Sequence, residues 1–233
     1  MTPKAVIFDL YGTLIDLYSW EDNERRLAGV ASTLSVPAKP FSRLWTETYP
    51  ERVTGAFPDD ESYILHLCAR LKTVPSDTSL QAAIEMKNEF TRRLMVPRPG
   101  ARETLQKLKE AGLGLALLTN CGREVPGYWR RTSLASVVEV TVFSCEVKVK
   151  KPDPAAYFLT CDRLNVQPRD CTFVGDGGNR ELEAAQEIGM KAIMIRTPED
   201  NLYNPRRTAS DAWPGQRVSR LSELIEIVRG HAE

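Results

Sequence analysis

Residues 6–14, VIFDLYGTL, contain the feature that decides the predicted fold. The apolar run Ala5–Phe8 ends at an acid, Asp9, and a turn that contains Gly12 follows at once. A short apolar run bounded by turn residues is typical of a buried strand. A buried charge is costly unless it is paired or bound to a metal, and ligands of open α/β sheets bind beyond the carboxyl ends of the strands. We therefore predict that Asp9 takes part in chemistry.

The amino-acid composition bounds the class of protein. The chain has 233 residues with 31 Lys and Arg against 31 Asp and Glu, which gives a formal net charge of +0. Because positive charge is not in excess, we expect neither a nucleic-acid nor a membrane-surface partner. No apolar segment is long enough to span a bilayer, and the first strand begins so early that we expect no signal peptide. These features predict a soluble cytoplasmic protein.

Histidine and cysteine usage argues against several kinds of site. Only two histidines occur, His66 and His231, which disfavours a histidine zinc site and a Ser-His-Asp triad. The five cysteines are odd in number and no pair has CxxC spacing, so we expect free thiols in a reducing compartment.

The chain after residue 15 divides into two patterns. From residue 16 to residue 96, apolar residues recur at helical spacing and no strand is predicted. The predicted helices of this segment are Trp20–Leu34, Phe41–Thr54, Asp60–Leu71 and Leu80–Leu94.

Beyond residue 96, strand-like and helical runs alternate. The predicted strands are residues 113–120, 137–144, 171–176 and 191–195, and the predicted helices are 101–111, 123–131, 153–164, 179–188 and 221–228, with a long loop at 198–216. Alternation of this kind predicts a Rossmann-like parallel sheet with helices on both faces. We therefore predict an α/β core, residues 1–15 and 97–233, with an inserted α-helical cap, residues 16–96.

Polar residues follow four of the apolar runs, and the carboxyl ends of parallel strands share one edge of a sheet. We expect the polar side chains to converge there. They are Asp9, then Thr119 and Asn120, then Lys151, then Asp176 with Glu181 five residues later.

In this order the motifs resemble those of the haloacid dehalogenase-like (HAD) hydrolase superfamily, in the branch with a helical cap after the first motif. Each motif is weak alone, but four in order over essentially the whole chain are specific. The four are Asp9-Leu10-Tyr11-Gly12-Thr13, then Thr119, then Lys151 before Pro152-Asp153-Pro154, then Gly175-Asp176 with Glu181.

The resemblance implies an aspartate nucleophile and a metal ion. Asp9 would form a covalent intermediate with the substrate. Mg²⁺ would reduce the repulsion between this carboxylate and a phosphate group. Its implied ligands are Asp9, the backbone carbonyl of Tyr11, and Asp176, with Glu181 binding directly or through a water molecule.

The resemblance also implies residues that bind the substrate. Lys151 would neutralise the nucleophile and the transferring group. Thr119 and Asn120, with nearby backbone N–H groups, would hold a phosphoryl oxygen. The cap would close over a small-molecule substrate and select it.

Tyr11 departs from the pattern of most phosphatases in the superfamily. They carry a second Asp at this position, which protonates the leaving alcohol, and such acid–base help is worth about 10²–10⁴-fold in rate. A Tyr there is typical of the 2-haloacid dehalogenases, whose halide leaving group needs no proton and which use no metal. A metal-independent 2-haloacid dehalogenase is therefore the alternative hypothesis, and it also fits Lys151 and Tyr157.

Two observations favour the phosphatase hypothesis over the dehalogenase. The dehalogenases lack an acid at the position of Asp176, and they place an Arg directly after a cap Trp, where this chain has Trp45 followed by Thr46. We therefore predict a Mg²⁺-dependent phosphatase of a small phosphorylated metabolite. A third hypothesis is a catalytically weak binding protein that kept the fold.

Overall fold

The computed structural model describes residues 2–197, 200 and 213–229 of the chain. Within these residues six parallel strands form one sheet in the order β3-β2-β1-β4-β5-β6. The strands are β1 Ala5–Phe8, β2 Gly114–Thr119, β3 Val140–Phe143, β4 Cys171–Gly175, β5 Lys191–Ile195 and β6 Gln216–Val218. Helices pack on both faces, so the predicted α/β fold is confirmed.

Strand β1 lies at the centre of the sheet. All four of its residues are fully buried because β2 and β4 flank it and helices cover both faces. Its last residue, Phe8, is in register with Leu117 of β2 and Val174 of β4. The chain segments that follow these three strands therefore meet at the same edge.

Five helices lie between β1 and the rest of the sheet. They are α1 Trp20–Thr33, α2 Ala38–Glu47, α3 Tyr49–Val53, α4 Asp60–Arg70 and α5 Asp77–Leu94. Their apolar side chains form a hydrophobic cluster of their own, distinct from the two clusters that cover the sheet faces. The cap boundaries at residues 16 and 96 stay a prediction, and an antiparallel bridge between Ile15 and Pro97 joins the two connecting segments.

The helix predicted at Phe41–Thr54 is wrong as a single element. Helix α2 ends at Glu47, and α3 begins at Tyr49, with Pro50 in its first turn. Proline has no N–H and its ring clashes with the preceding turn, so it is tolerated only where a helix starts. Pro50 therefore forces a second helix to begin.

Six helices complete the described part of the core: α6 Ala101–Glu110, α7 Val125–Trp129, α8 Ser144–Val147, α9 Pro154–Leu164, α10 Glu181–Glu187 and α11 Leu224–Arg229. Helix α9 has the predicted start, because the Asp153 carboxylate accepts a hydrogen bond from the backbone N–H of Ala155 at 2.9 Å. In the described ranges, no helix combines the length and the apolar character needed to cross a bilayer.

Other predicted bounds shift. The helices predicted at 123–131 and 179–188 are shorter, and a 3₁₀ turn, Gly178–Arg180, precedes α10. The strand predicted at 137–144 is only β3. Strand β6 was not predicted, because its residues Gln216 and Arg217 are polar and lie at the edge of the sheet. Most of the loop predicted at 198–216 lies outside the described residues.

Candidate active site

Asp9 stands directly beyond β1, at the centre of the sheet edge. Its backbone N–H donates to the carbonyl of Val174 at 2.9 Å, which extends the ladder between β1 and β4 by one residue. The carboxylate is 7% exposed. Its Oδ1 accepts a hydrogen bond from Lys151 Nζ at 2.5 Å, and its Oδ2 accepts a longer one from Thr13 Oγ1 at 3.4 Å. The side chain is thus held in one orientation.

Lys151 links two carboxylates in the interior. Its Nζ lies 2.5 Å from Asp9 Oδ1 and 2.6 Å from Glu181 Oε2, and the side chain is almost fully buried. Burial alone would lower the pKa of this amine, but the charges of Asp9 and Glu181 outweigh it and raise the pKa. Lys151 is therefore a permanent cation at the sheet edge.

Asn120 holds the backbone of Lys151. The side-chain amide donates from Nδ2 to the carbonyl of Lys151, and its Oδ1 accepts from the N–H of the same residue, both at 2.8 Å. These two bonds join the end of β2 to the loop before α9. Asn120 also lines the cavity. Its amide is therefore observed to position Lys151, whereas its contact with the substrate stays a prediction.

Three carboxylates converge at this edge. Each of Asp9, Asp176 and Glu181 offers one oxygen, and these oxygens lie within 4.8 Å of one another. All three residues are buried. Burial and the charge of Asp176 raise the pKa of Asp9, and burial raises the pKa of Glu181 to about 8, in both cases against the lowering effect of Lys151. If all three carboxylates were ionised, this carboxylate cluster would carry more negative charge than one lysine can balance.

Two glycines give the carboxylate cluster its space. Gly12 has a φ of +76°, and a Cβ at this position would lie 2.2 Å from Asp176 Oδ2. A Cβ on Gly175 would lie 2.2 Å from Glu181 Oε1. Real Cβ atoms do not approach so closely, so larger residues would displace the carboxylates. Oxygen ligands in a close buried cluster are the donor set that Mg²⁺ prefers.

Glu181 is already engaged by the protein through both oxygens. Its Oε2 accepts from Lys151, and its Oε1 accepts from the backbone N–H of Gly177 at 3.1 Å. Its backbone carbonyl accepts from the Tyr157 hydroxyl at 2.8 Å. Glu181 therefore fixes Lys151 and the loop that carries Asp176.

Thr119 and Tyr11 occupy different surroundings. Thr119 is fully buried at the end of β2, and its Oγ1 has no hydrogen-bond partner among the described residues. The residues after it, rather than Thr119 itself, line the cavity. Tyr11 does line it, and burial raises the pKa of its phenol well above the usual value, so the group stays neutral at physiological pH.

The cavity lies between the sheet edge and the cap and has a volume of about 360 Å³. Its cap wall includes two arginines, Arg26 and Arg52, beside the aromatic rings of Trp45 and Phe90. We call Arg26 and Arg52 the arginine pair. The predicted cap contains seven arginines, and the packing of its helices shows which of them line the cavity.

A buried ion triad joins the cap to the core beside this cavity. Lys87 Nζ of α5 lies 2.8 Å from Asp60 Oδ1 of α4 and 2.9 Å from Glu124 Oε2, which precedes α7. Thr91 Oγ1 also donates to Glu124, at 3.1 Å. Sequence reasoning missed this triad. The sequence does contain a signal for a buried lysine. Lys87 follows Leu80 and Ala83 at helical spacing, which places it on the buried face of α5.

A family model described as haloacid dehalogenase-like hydrolase matches residues 3–189. The chain belongs to the haloacid dehalogenase-like hydrolases. The resemblance of the four motifs is thereby confirmed at the level of the family.

Relatives with different chemistries have similar identities to this haloacid dehalogenase-like chain. The (S)-2-haloacid dehalogenase 4A of Burkholderia cepacia is 27% identical, over 91% of this chain and 94% of that protein. The phosphorylated carbohydrates phosphatase of Thermotoga maritima is 31% identical, over 82% and 83%. These comparisons establish the hydrolase family and not the reaction.

A solved structure shows the same fold. The family enzyme from Bacteroides thetaiotaomicron, an Asp-to-Ala mutant in complex with magnesium and inorganic phosphate, has a TM-score of 0.64 and 21% identity. The match covers 87% of this chain and all of that chain.

Proposed function

We propose that this hydrolase is a Mg²⁺-dependent phosphatase of a small phosphorylated metabolite, with Asp9 as the nucleophile. The observation that carries the proposal is the carboxylate cluster, in which three buried oxygens lie within 4.8 Å of one another. Lys151 can balance only one carboxylate, so full ionisation of the cluster would be favoured by a further cation.

The residues present fit Mg²⁺. Asp9 and Asp176 would hold the ion with hard oxygen ligands, and the absence of a side chain at Gly12 leaves room beside Asp176 Oδ2. Glu181 would support this set through its hydrogen bonds to Lys151 and Gly177. When bound, Mg²⁺ supplies charge neutralisation between the carboxylates and the phosphoryl group.

The chain's own residues perform the covalent step. Asp9 attacks phosphorus, so that an oxygen–phosphorus bond forms on Asp9 as the bond to the leaving oxygen breaks, and the leaving group departs as its anion and takes a proton from solvent water. Lys151 favours the ionised form of the attacking carboxylate and orients it, and it lies where negative charge accumulates. Water then cleaves the aspartyl phosphate, which releases phosphate and restores Asp9. Thr119 Oγ1, which has no partner among the described residues, stays the predicted donor to a phosphoryl oxygen, although it lies behind the cavity wall formed by the residues after it.

Tyr11 limits the choice of leaving group. A neutral phenol with a raised pKa is a poor proton donor compared with a carboxylic acid. We therefore expect the phosphatase activity to be highest on esters whose leaving group needs no proton. 4-Nitrophenyl phosphate meets this requirement and is the substrate to try first.

A second candidate function is metal-independent 2-haloacid dehalogenation. The observation that favours it is Tyr11 itself, because a halide leaves without a proton. Tyr157, which is buried and donates to the backbone of Glu181 beside Lys151, also fits this hypothesis.

The deciding experiment is a release assay with and without EDTA. The substrates are 4-nitrophenyl phosphate, a sugar phosphate and 2-chloropropionate, and the variants are Asp9→Asn and the exposed control Asp162→Asn on α9. The phosphatase proposal expects phosphate release that needs Mg²⁺, is lost in Asp9→Asn and is kept in Asp162→Asn.

Each other outcome overturns part of the proposal. Phosphate release that survives full chelation refutes the metal role. Chloride release without metal supports the dehalogenase. If no substrate turns over and Asp9→Asn changes no measured property, the protein is a binding protein on this fold.

A further inference from the structure

The arginine pair in the cap wall has an electrostatic arrangement that the phosphatase reaction does not explain. The guanidinium carbons of Arg26 and Arg52 lie 4.8 and 4.3 Å from the centre of the same indole ring, that of Trp45. Arg26 also lies 4.7 Å from the ring centre of Phe90. Two cations therefore share one aromatic surface at the cavity.

Neither arginine forms an ion pair with a carboxylate in the part of the chain that the structure describes. Arg26 donates from Nη2 to the neutral amide of Asn23 at 2.6 Å, and its buried Nε has no partner among the described residues. Burial and the nearby charge of Arg52 lower the pKa of Arg26 to about 10. Two partly buried cations held close together without a counter-ion repel each other, so the site favours an anion.

The other cations among the described residues of the cavity wall are already paired. Lys87 is balanced by Asp60 and Glu124, so Glu124 is not available as a close partner of the arginines. Lys151, at the sheet edge, is held between Asp9 and Glu181. The arginine pair is thus the unbalanced positive charge among the described residues of the cavity wall.

Arg52 is held in place by neutral groups alone. Its Nη1 donates to the carbonyl of Trp45 at 3.0 Å and to the hydroxyl of Tyr63 at 2.6 Å. Contacts of this kind fix the guanidinium without neutralising it. A fixed, charged fork of N–H groups is suited to a carboxylate or a phosphate.

Two other cap arginines, Arg25 and Arg43, have a different arrangement. Arg25 pairs with Asp22 and Arg43 pairs with Glu47, each at 2.7 Å, and both guanidinium groups are largely exposed. They are surface ion pairs of low energetic value. Arg43 is therefore a matched control for the arginine pair.

We propose that Arg26 and Arg52 bind a second anionic group of the substrate, a carboxylate or a second phosphate, while the reacting group lies at Asp9. The inference rests on the proposed function for the identity of the reacting group. It makes the substrate class a small bis-anion rather than a neutral sugar or alcohol phosphate. A cavity of about 360 Å³ accommodates a compact molecule of this kind.

The test uses binding of phosphonates, because their carbon–phosphorus bond is not hydrolysed and turnover is not required. Phosphonoacetate, 3-phosphonopropanoate and 4-phosphonobutanoate are compared by calorimetry with alkylphosphonates of equal length, in saturating Mg²⁺. The matching bisphosphonates form a third arm, which distinguishes a carboxylate from a second phosphate. We expect at least one bis-anion to bind about tenfold or more tightly than its alkyl counterpart.

The variants assign this preference to residues. Arg26→Gln and Arg52→Gln should each remove most of it, Arg26→Lys should restore part of it, and Arg43→Gln should leave it intact. Arg52 also stabilises the cap through Trp45 and Tyr63, so the binding result of Arg52→Gln is used only if its unfolding transition is unchanged. If that transition shifts, Arg26→Gln alone decides the test.

Two results overturn the proposal. One is equal binding of bis-anions and alkylphosphonates to the unmodified protein. The other is a preference that persists in both arginine-to-glutamine variants. A preference for bis-anions without phosphate release from any ester would support the anion site and refute the phosphatase. Phosphate release without that preference would support the phosphatase and refute the anion site.

Discussion

Replacing Lys87 with methionine should be among the most destabilising single changes in the cap. Methionine keeps most of the apolar stem but removes the charge that balances Asp60 and Glu124. The lysine is 1% exposed, and both carboxylates are largely buried. Removing one partner from a buried ion group costs about 3–5 kcal/mol because the remaining charges are left uncompensated. For a chain of this length, that loss corresponds to a fall in Tm of about 6–20 °C.

The control is Lys4→Met. Lys4 lies 2.9 Å from Asp170 Oδ2, the same distance as Lys87 from Glu124, but its side chain is 69% exposed. Solvent screens such a pair, so its loss should cost at most about 1 kcal/mol. Chemical and thermal unfolding of both variants are compared with the unmodified protein. A Lys87→Met loss no larger than that of Lys4→Met would refute the reasoning.

The pH dependence gives this prediction a second readout. Burial would raise the pKa of Glu124, but the charge of Lys87 outweighs it and holds the pKa below its usual 4.5. A lowered folded-state pKa stabilises the protein above the unfolded-state pKa, and this stability is lost as the pH falls through the folded-state value. In Lys87→Met burial dominates and raises the pKa, so protonation of Glu124 relieves the strain. The stability difference between the two proteins should therefore narrow from pH 7 to pH 4, and a constant difference would contradict the assignment.

Three further variants test the site itself. Asn120→Ala removes two hydrogen bonds to the backbone of Lys151, so we expect a loss of about 1–3 kcal/mol in unfolding free energy and slower turnover, measured by denaturant titration and steady-state kinetics. Gly12→Ala places a Cβ at a positive φ and against Asp176, whereas its control Gly112→Ala places one at a φ of +83° in open space. Both variants should lose about 1–3 kcal/mol of unfolding free energy through backbone strain. Only Gly12→Ala should also lose Mg²⁺ binding, measured by calorimetry. Asp176→Asn should weaken Mg²⁺ binding, followed as the metal-dependent shift in Tm, by about tenfold or more; an unchanged shift would remove Asp176 from the ligand set.

The residues that meet at the sheet edge could be predicted from the sequence, because short apolar runs that end in an acid are a local pattern. Asp9 ends a short apolar run, and Asp176 ends another, so their convergence follows from parallel strand topology alone. Pro50 is also a local signal for a helix start. The predicted helix Phe41–Thr54 nevertheless runs through it, because the apolar spacing continues past this residue. Strand β6 could not be predicted, because a short polar edge strand has no periodic signal.

The contacts between cap and core required the tertiary structure. Arg26 and Arg43 have the same residue type and both lie on cap helices, yet one faces the cavity and the other faces solvent. The choice depends on how α1 packs against α2, which single-sequence periodicity does not determine. The pairing of Lys87 with Glu124 spans 37 positions of the chain and likewise depends on packing.

The charge distribution of the cavity bears on the two candidate reactions. A 2-haloacid carries one carboxylate, which the arginine pair could bind, but it brings no cation to Asp9, Asp176 and Glu181. A metal-free reaction would then proceed with three buried carboxyl groups close together and Lys151 between two of them, an arrangement that disfavours the ionised form of Asp9 needed for attack. A Mg²⁺ ion held by Asp9 and Asp176 would offset that cost and favour the ionised form of Asp9. Under the proposed function, Asp176, the acid at the position where the dehalogenases lack one, is thus the residue that would make a metal-assisted reaction favourable.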